Sequence, residues 1–278
     1  MIKKTLVFTD LDGTLMDHYS YKTEDAEDTI VALKFHDIAI IPNTSKTLSE
    51  ILNIREQLHL TSPFIIENGA AVYIPVNYFK KQPTGTQQQG DFWVKPFCQD
   101  KAHWLSLLTE HATQFSEYFE GFSQLTNEQL AALTGLNTAQ ATMAKQRQYG
   151  EPLNWLGSQE VLAEFIAHMQ KLGANILQGG RFVHVSGHAD KGQAQRWLAK
   201  QYQENNPTEA FQTIALGDSD NDSAMLECAT IAVQIRSPVH DFPQLKRQHD
   251  VYQSQQYGPA GWAECLHKIV LSNLDEQT

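Results

Sequence analysis

The sequence predicts an α/β protein: a doubly wound, Rossmann-like parallel sheet interrupted by a second, α+β domain. Short apolar runs alternate with helical patterns from the start of the chain. A polar segment, residues 80–90 (KKQPTGTQQQG), breaks that alternation. Strand–helix alternation then resumes near Lys191. These features divide the 278 residues into a first part at 1–82, an inserted domain at 83–187 and a second part at 188–278.

Residues 5–10 read as a fully buried strand, short, apolar and stopped by Asp10-Leu11-Asp12-Gly13. A helix follows over 23–35, with Thr23 and acidic residues at its start. Residues 38–41 form a second buried strand, which ends at Pro42 because proline cannot donate to a ladder. Leu48, Ile51, Leu52, Arg55 and Leu58 have helical spacing within 45–60. Strand 64–67 then meets Asn68-Gly69 and strand 71–74, a strong hairpin signal. The inserted domain carries amphipathic helices and short strands, including 175–178 and 182–185. Helix 191–202, strand 213–216, an acidic loop, a short helix and strand 231–235 complete the pattern.

Apolar residues make up 41% of the chain and charged residues 19%, enough apolar material for a core and too little charge for a disordered chain. A net charge of −11 argues against a nucleic-acid partner, which needs a basic stripe. Cys98, Cys228 and Cys265 are widely separated and odd in number, as expected of reduced thiols in a cytoplasmic protein. The apolar run near the N-terminus is short and broken by Asp10 and Asp12, unlike a signal peptide. No stretch approaches the ~20 apolar residues of a membrane helix, so no membrane partner is expected.

Four polar sites fall at strand ends or helix starts, where ligands bind in open parallel sheets. Asp10 and Asp12 follow the first strand directly. Two carboxylates ~4 Å apart repel by about 4 kcal/mol at an effective dielectric near 20. Asp218, Asp220 and Asp222 crowd the segment Gly217-Asp218-Ser219-Asp220-Asn221-Asp222 after another buried strand. Such crowding suits a hard divalent cation, while Asn221 or Asp222 can also cap the next helix. Lys191 follows a plausible N-cap, Asp190, where the helix dipole disfavours a cation unless an anion is bound. Thr44-Ser45-Lys46 follows the second strand; its hydroxyls suit either an N-cap or a phosphoryl oxygen.

In this order, the four segments resemble the motifs of the haloacid dehalogenase superfamily of phosphatases. Their pairing of DxDGT with GDSxND is highly specific, and a domain inserted after the third strand resembles the superfamily's type II (Cof-like, IIB) cap. PNTSKT at 42–47, IIENGAAVYIP at 65–75, residues 133–152, GGRFVHVSG at 179–187 and GPAGW at 258–262 resemble, more narrowly, the mannosyl-3-phosphoglycerate phosphatases. Thr44-Ser45-Lys46 departs from the Thr-Gly-Arg type turn of many capped sugar phosphatases, which favours that narrower branch.

The resemblance implies a phosphatase working through an aspartyl-phosphate at Asp10. Asp12 would be general acid and base, Lys191 would neutralise charge and Thr44 would hold a phosphoryl oxygen. Mg²⁺ would sit on Asp10, the Asp12 carbonyl and Asp218, supported by Asn221 or Asp222. The expected partner is a small phosphorylated sugar–glycerate. Arg181, Arg147 and, less centrally, Lys46 are the expected partners of its carboxylate, with Ser45 beside them. Glu67, Asn68 and Glu151 would bind sugar hydroxyls. A broader sugar phosphatase, a phosphomannomutase-like enzyme of the same fold and a ligand-binding pseudo-phosphatase are the alternatives. The histidines show no zinc-ligand spacing.

Overall fold

The computed structural model describes residues 3–179 and 182–275. They form two compact units. The first contains the described residues up to Ser45, Leu60–Lys95 and those from Asp190 onward; the second contains Lys46–His59 and Pro96–Ala189. The units therefore meet at 95/96 and 189/190 rather than at the 82/83 and 187/188 read from the sequence, and 46–59 groups with the inserted part.

The first unit is built on a parallel sheet with strand order Val251–Tyr257, Ile231–Arg236, Phe211–Gly217, Lys4–Thr9, Ala39–Pro42. Lys4–Thr9 is an interior strand with both faces covered, so its apolar run does not alternate; Val7 and Phe8 are completely buried. Thr9 pairs with Leu216 on one side and Pro42 on the other. Three strands thus end within one residue of one another, and Asp10, Asn43 and Asp218 leave the sheet at their carboxyl ends. Asp10 N–H donates to the Leu216 carbonyl (2.9 Å) and Asn43 N–H to that of Thr9 (2.8 Å). Pro42 occupies a strand end, as expected of a residue without an N–H.

Strand Phe64–Ile66 is antiparallel to Ala71–Pro75, as the Asn-Gly signal predicts. The connection is longer than a two-residue hairpin: Glu67, Asn68 and Gly69 all have positive φ (47°, 59° and 91°). A Cβ on Gly69 would lie 2.1 Å from the Asp190 carbonyl oxygen, so glycine is required for space as well as for conformation. The polar segment at 80–90 is partly strand: Gln87–Gln89 pairs with Phe92–Pro96 across a turn at Gly90-Asp91. Its three glutamines are exposed, so no apolar alternation marks them in the sequence.

The second unit has an antiparallel sheet in the order Phe119–Gly121, Gly150–Trp155, Phe182–Ser186, Asn175–Gly179. Leu153, Val183, Val185 and Ile176 pack with Trp104 and Leu108 of helix Lys101–His111 and with Leu162, Phe165 and Met169 of helix Gln159–Lys171. Phe182, alternating with Val183, packs edge-on against Phe122, which belongs to a small core with Leu130 and Ala141 of helices Asn127–Thr134 and Thr138–Lys145. Helix Leu48–Gln57 begins three residues later than the sequence suggests. Its N-cap is Thr47, in a capping box with Glu50, which leaves Thr44-Ser45-Lys46 outside the helix. Among the described residues, no helix is long and apolar enough to cross a membrane.

Candidate active site

The carboxyl ends of the first unit's parallel strands hold a buried ion cluster. Asp190 caps helix Lys191–Asn205, accepting from Gln193 N–H at 2.7 Å, which places Lys191 at the first helical position. The lysine is completely buried. Its Nζ donates to Asp10 Oδ1 at 2.7 Å and to Asp222 Oδ1 at 2.6 Å. Asp222 Oδ2 accepts from the backbone N–H groups of Asp218 (3.0 Å) and Ser219 (3.1 Å). Gly217 makes this possible, since a Cβ there would lie 2.5 Å from the Asp222 side chain. Both Asp222 oxygens are therefore engaged, so this aspartate chiefly anchors Lys191 and the acidic loop.

Asp218 is buried and accepts from Thr14 Oγ1 at 3.0 Å. Gly13 stands directly above it with φ +78°, and a Cβ would come within 2.6 Å of Asp218 Oδ2. Asp10, Asp218 and Asp222 each offer an oxygen, all within 4.8 Å of one another. One lysine cannot balance three buried carboxylates. Burial pushes the Asp10 carboxyl well above its ordinary range; Asp222, Asp218 and Asp12 reinforce this and Lys191 opposes it. Burial and then Asp222 lift Asp218 to about 6, against the Thr14 hydrogen bond. Burial alone would lower the Lys191 ammonium, but Asp10 and Asp222 outweigh it and hold the pKa above its ordinary value. Three buried carboxylates with oxygens this close and only one lysine among them fit a small divalent cation.

The turn at 67–69 joins the same strand ends. Asn68 accepts from Asn221 Nδ2 at 3.1 Å, and Asn68 N–H donates to the Thr44 carbonyl at 2.9 Å. Asn221 also accepts from Ser219, so its amide orders the loop. Glu67 and Thr44 are buried here, and half-buried Ser45 follows Thr44. Asp12 is half-buried, bridged to Met16 in the turn after strand Lys4–Thr9.

Lys46, Arg147 and Glu151 belong to the second unit. Glu151, read from sequence as a ligand for sugar hydroxyls, is instead engaged internally. It is 1% exposed, accepts from Ser123 N–H (2.7 Å) and Oγ (2.6 Å), and lies 3.0 Å from Lys101 Nζ. Arg147 is half-buried beside His184, whose pKa burial and then the Arg147 charge depress to about 4. Arg181 lies outside the described residues.

Sequence reasoning missed several residues of the cluster. Thr14 holds Asp218, although the Thr of the DxDGT segment was in view. Asn43 is completely buried, donates to the Lys191 carbonyl at 3.0 Å and has a buried Oδ1 without a hydrogen-bond partner. Its position between Pro42 and Thr44 was a usable signal. His240 Nε2, 3.4 Å from Asp218 Oδ2, comes from an irregular loop without one.

Adjacent strand ends, a lysine clamped between two aspartates and a third aspartate within ligand reach define a hydrolase site of a known type. Residues 7–239 match the family model of haloacid dehalogenase-like hydrolases, and the chain belongs to that family. It is a phosphoric monoester hydrolase with a capped α/β fold. A glucosyl-3-phosphoglycerate/mannosyl-3-phosphoglycerate phosphatase of Methanococcoides burtonii is 32% identical over 270 residues, covering 97% of this chain and 98% of that protein. The phosphatase of the same name from Persephonella marina is 30% identical over 272 residues, covering 95% and 97%. Among solved structures, the HAD subclass IIB sugar phosphatase BT4131 shares the fold, with a TM-score of 0.62 and 13% identity over 95% of this chain and 98% of that one.

Proposed function

We propose that this enzyme removes the phosphate from a glycosyl-3-phosphoglycerate, with a mannosyl or glucosyl sugar, through an aspartyl-phosphate on Asp10 and with Mg²⁺. The ion cluster of Lys191 between Asp10 and Asp222, with Asp218 beside it, carries the chemical part of this reading. The substrate part rests on the names of the relatives matched along nearly the whole chain.

Asp10, Asp218 and the Asp12 carbonyl would hold the magnesium ion, with Asn221 and Asp222 ordering the loop that carries Asp218. The bound ion supplies positive charge that neutralises Asp10 and the transferring phosphoryl group. An Asp10 oxygen attacks phosphorus as the bond to the glycerate oxygen breaks. Asp12 donates a proton to the departing alkoxide, then takes one from the water that opens the acyl phosphate, returning Asp10 and releasing inorganic phosphate. Lys191 orients Asp10 and balances its charge, and Thr44 and Ser45 hold phosphoryl oxygens. Lys46, Arg147 and Arg181 serve the substrate carboxylate, and Glu67 and Asn68 its sugar hydroxyls. Glu151 is left out of this set because its carboxylate is engaged inside the second unit.

The test is phosphate release from mannosyl- and glucosyl-3-phosphoglycerate beside hexose phosphates, with and without Mg²⁺. The glycosyl phosphoglycerates should lead in kcat/KM by at least tenfold, and chelation should abolish turnover. Asp10→Asn should lose on the order of 10⁴-fold in kcat. A preference for hexose phosphates would sink the substrate assignment, and an active Asp10→Asn enzyme would sink the nucleophile.

A further inference from the structure

Beyond the aspartate cluster, the parallel sheet opens into a cavity of about 570 Å³. It lies at the carboxyl ends of strands Ile231–Arg236 and Val251–Tyr257 and is lined by residues including Arg236, Ser237, His240, Gln253 and Tyr257. Crevices beyond the carboxyl ends of parallel strands are where open α/β sheets bind ligands, and this volume suits a small organic molecule.

The lining is built around one cation. The Arg236 guanidinium lies 5.1 Å from the Tyr257 ring centre and donates through Nη1 to the Gln255 carbonyl at 3.5 Å. Neither partner is a carboxylate, so ring and carbonyl orient the exposed guanidinium without neutralising its charge. Gln253 spends an amide N–H on Gln234 Oε1 (3.0 Å), which leaves its own oxygen able to accept a hydroxyl. Ser237 Oγ lies 3.2 Å from His240 Nε2. Asp241 also lines the cavity and opposes a second negative charge there. A planar guanidinium matches a carboxylate monoanion, and Asp241 in the same lining disfavours a dianionic phosphate.

We propose that this cavity binds a polyhydroxylated carboxylate monoanion, the chemical class of a glycosylglycerate freed of its phosphate. The choice of that class rests on the phosphatase reading; the cavity and its single cation do not. The volume accommodates a sugar joined to a three-carbon acid, whose hydroxyls meet the serine and amide groups. His240 connects this wall to Asp218, so occupancy here adjoins the aspartate cluster.

The test titrates the full chain, stripped of divalent metal, with mannosylglycerate and with its methyl ester in a calorimeter. Saturable binding of the acid is expected, at least tenfold weaker for the ester and for Arg236→Gln, with partial recovery in Arg236→Lys. Equal binding of acid and ester, undiminished binding by Arg236→Gln or no saturable binding by the wild-type protein would each overturn the proposal. Phosphate release from a simple phosphomonoester by the wild-type protein with Mg²⁺ is read in parallel. Its absence would count against the phosphatase reading alone, because the calorimetry contains neither phosphate nor metal.

Discussion

Lys101 and Lys191 are written alike in the sequence, each following an aspartate that caps its helix, and each faces a buried carboxylate. Lys101 lies 3.0 Å from Glu151, which also accepts two hydrogen bonds from Ser123, so one cation meets one anion. Lys191 meets Asp10 and Asp222, with Asp218 close by, so one cation meets an excess of anions. A balanced buried pair holds a structure together. An unbalanced cluster stores negative charge that a metal ion and a phosphoryl group can use.

Replacing the lysine in each unit breaks this comparison most directly. Lys191→Met leaves Asp10 and Asp222 buried without their cation, which should cost about 3–5 kcal/mol of stability. Phosphate release should fall on the order of 10³-fold. Adding Asp222→Asn should recover stability, read by urea unfolding, without recovering turnover. Retained activity in the double variant would remove Lys191 from the chemistry.

The second unit carries a titration of its own. Burial and then Arg147 lower the His184 pKa from an ordinary 6.5 to about 4. A neutral, half-buried histidine contributes its full stability above pH 6.5 and loses it as the pH falls toward 4. At 1.36 kcal/mol per pH unit, the loss reaches about 3 kcal/mol. His184→Gln should reduce the drop in unfolding free energy between pH 7 and pH 4 by about that amount. An unchanged drop would show that His184 does not carry the effect.

Lys101→Met should be milder, because Ser123 still serves Glu151: about 1–3 kcal/mol of stability, with kcat on a simple phosphomonoester retained. A large loss of kcat would place the Lys101–Glu151 pair in the chemistry and erase the contrast. The smallest effect sharpens the role of the second unit. Arg147→Gln should raise KM for a carboxylate-bearing substrate about tenfold, or ~1.4 kcal/mol, and leave kcat near wild type. An equal effect on substrates lacking the carboxylate would remove that role.

Much of this was legible before folding. Apolar runs without alternation mark strands covered on both faces, and acids directly after them mark the strand ends, so Asp10, Asp12, Asp218 and Asp222 could be picked out. The hairpin at Asn68-Gly69 was legible because few residues tolerate its backbone. The glutamine strand at Gln87–Gln89 was not, since an exposed edge needs no apolar pattern. Thr47 displaced Thr44 as helix cap because only Thr47 has Glu50 three residues on to close the capping box.

The sequence by itself determined the strand–helix alternation around the interruption, the strand ends where charge gathers and the family to which the chain belongs, because these depend on local pattern and spacing. Only the tertiary structure decided which of two identical Asp-Lys pairs meets surplus charge, that Glu151 is neutralised at home, and that Thr14, Asn43 and His240 join the site. Electrostatic balance is a sum over neighbours brought together from distant parts of the chain, and no local pattern encodes that sum.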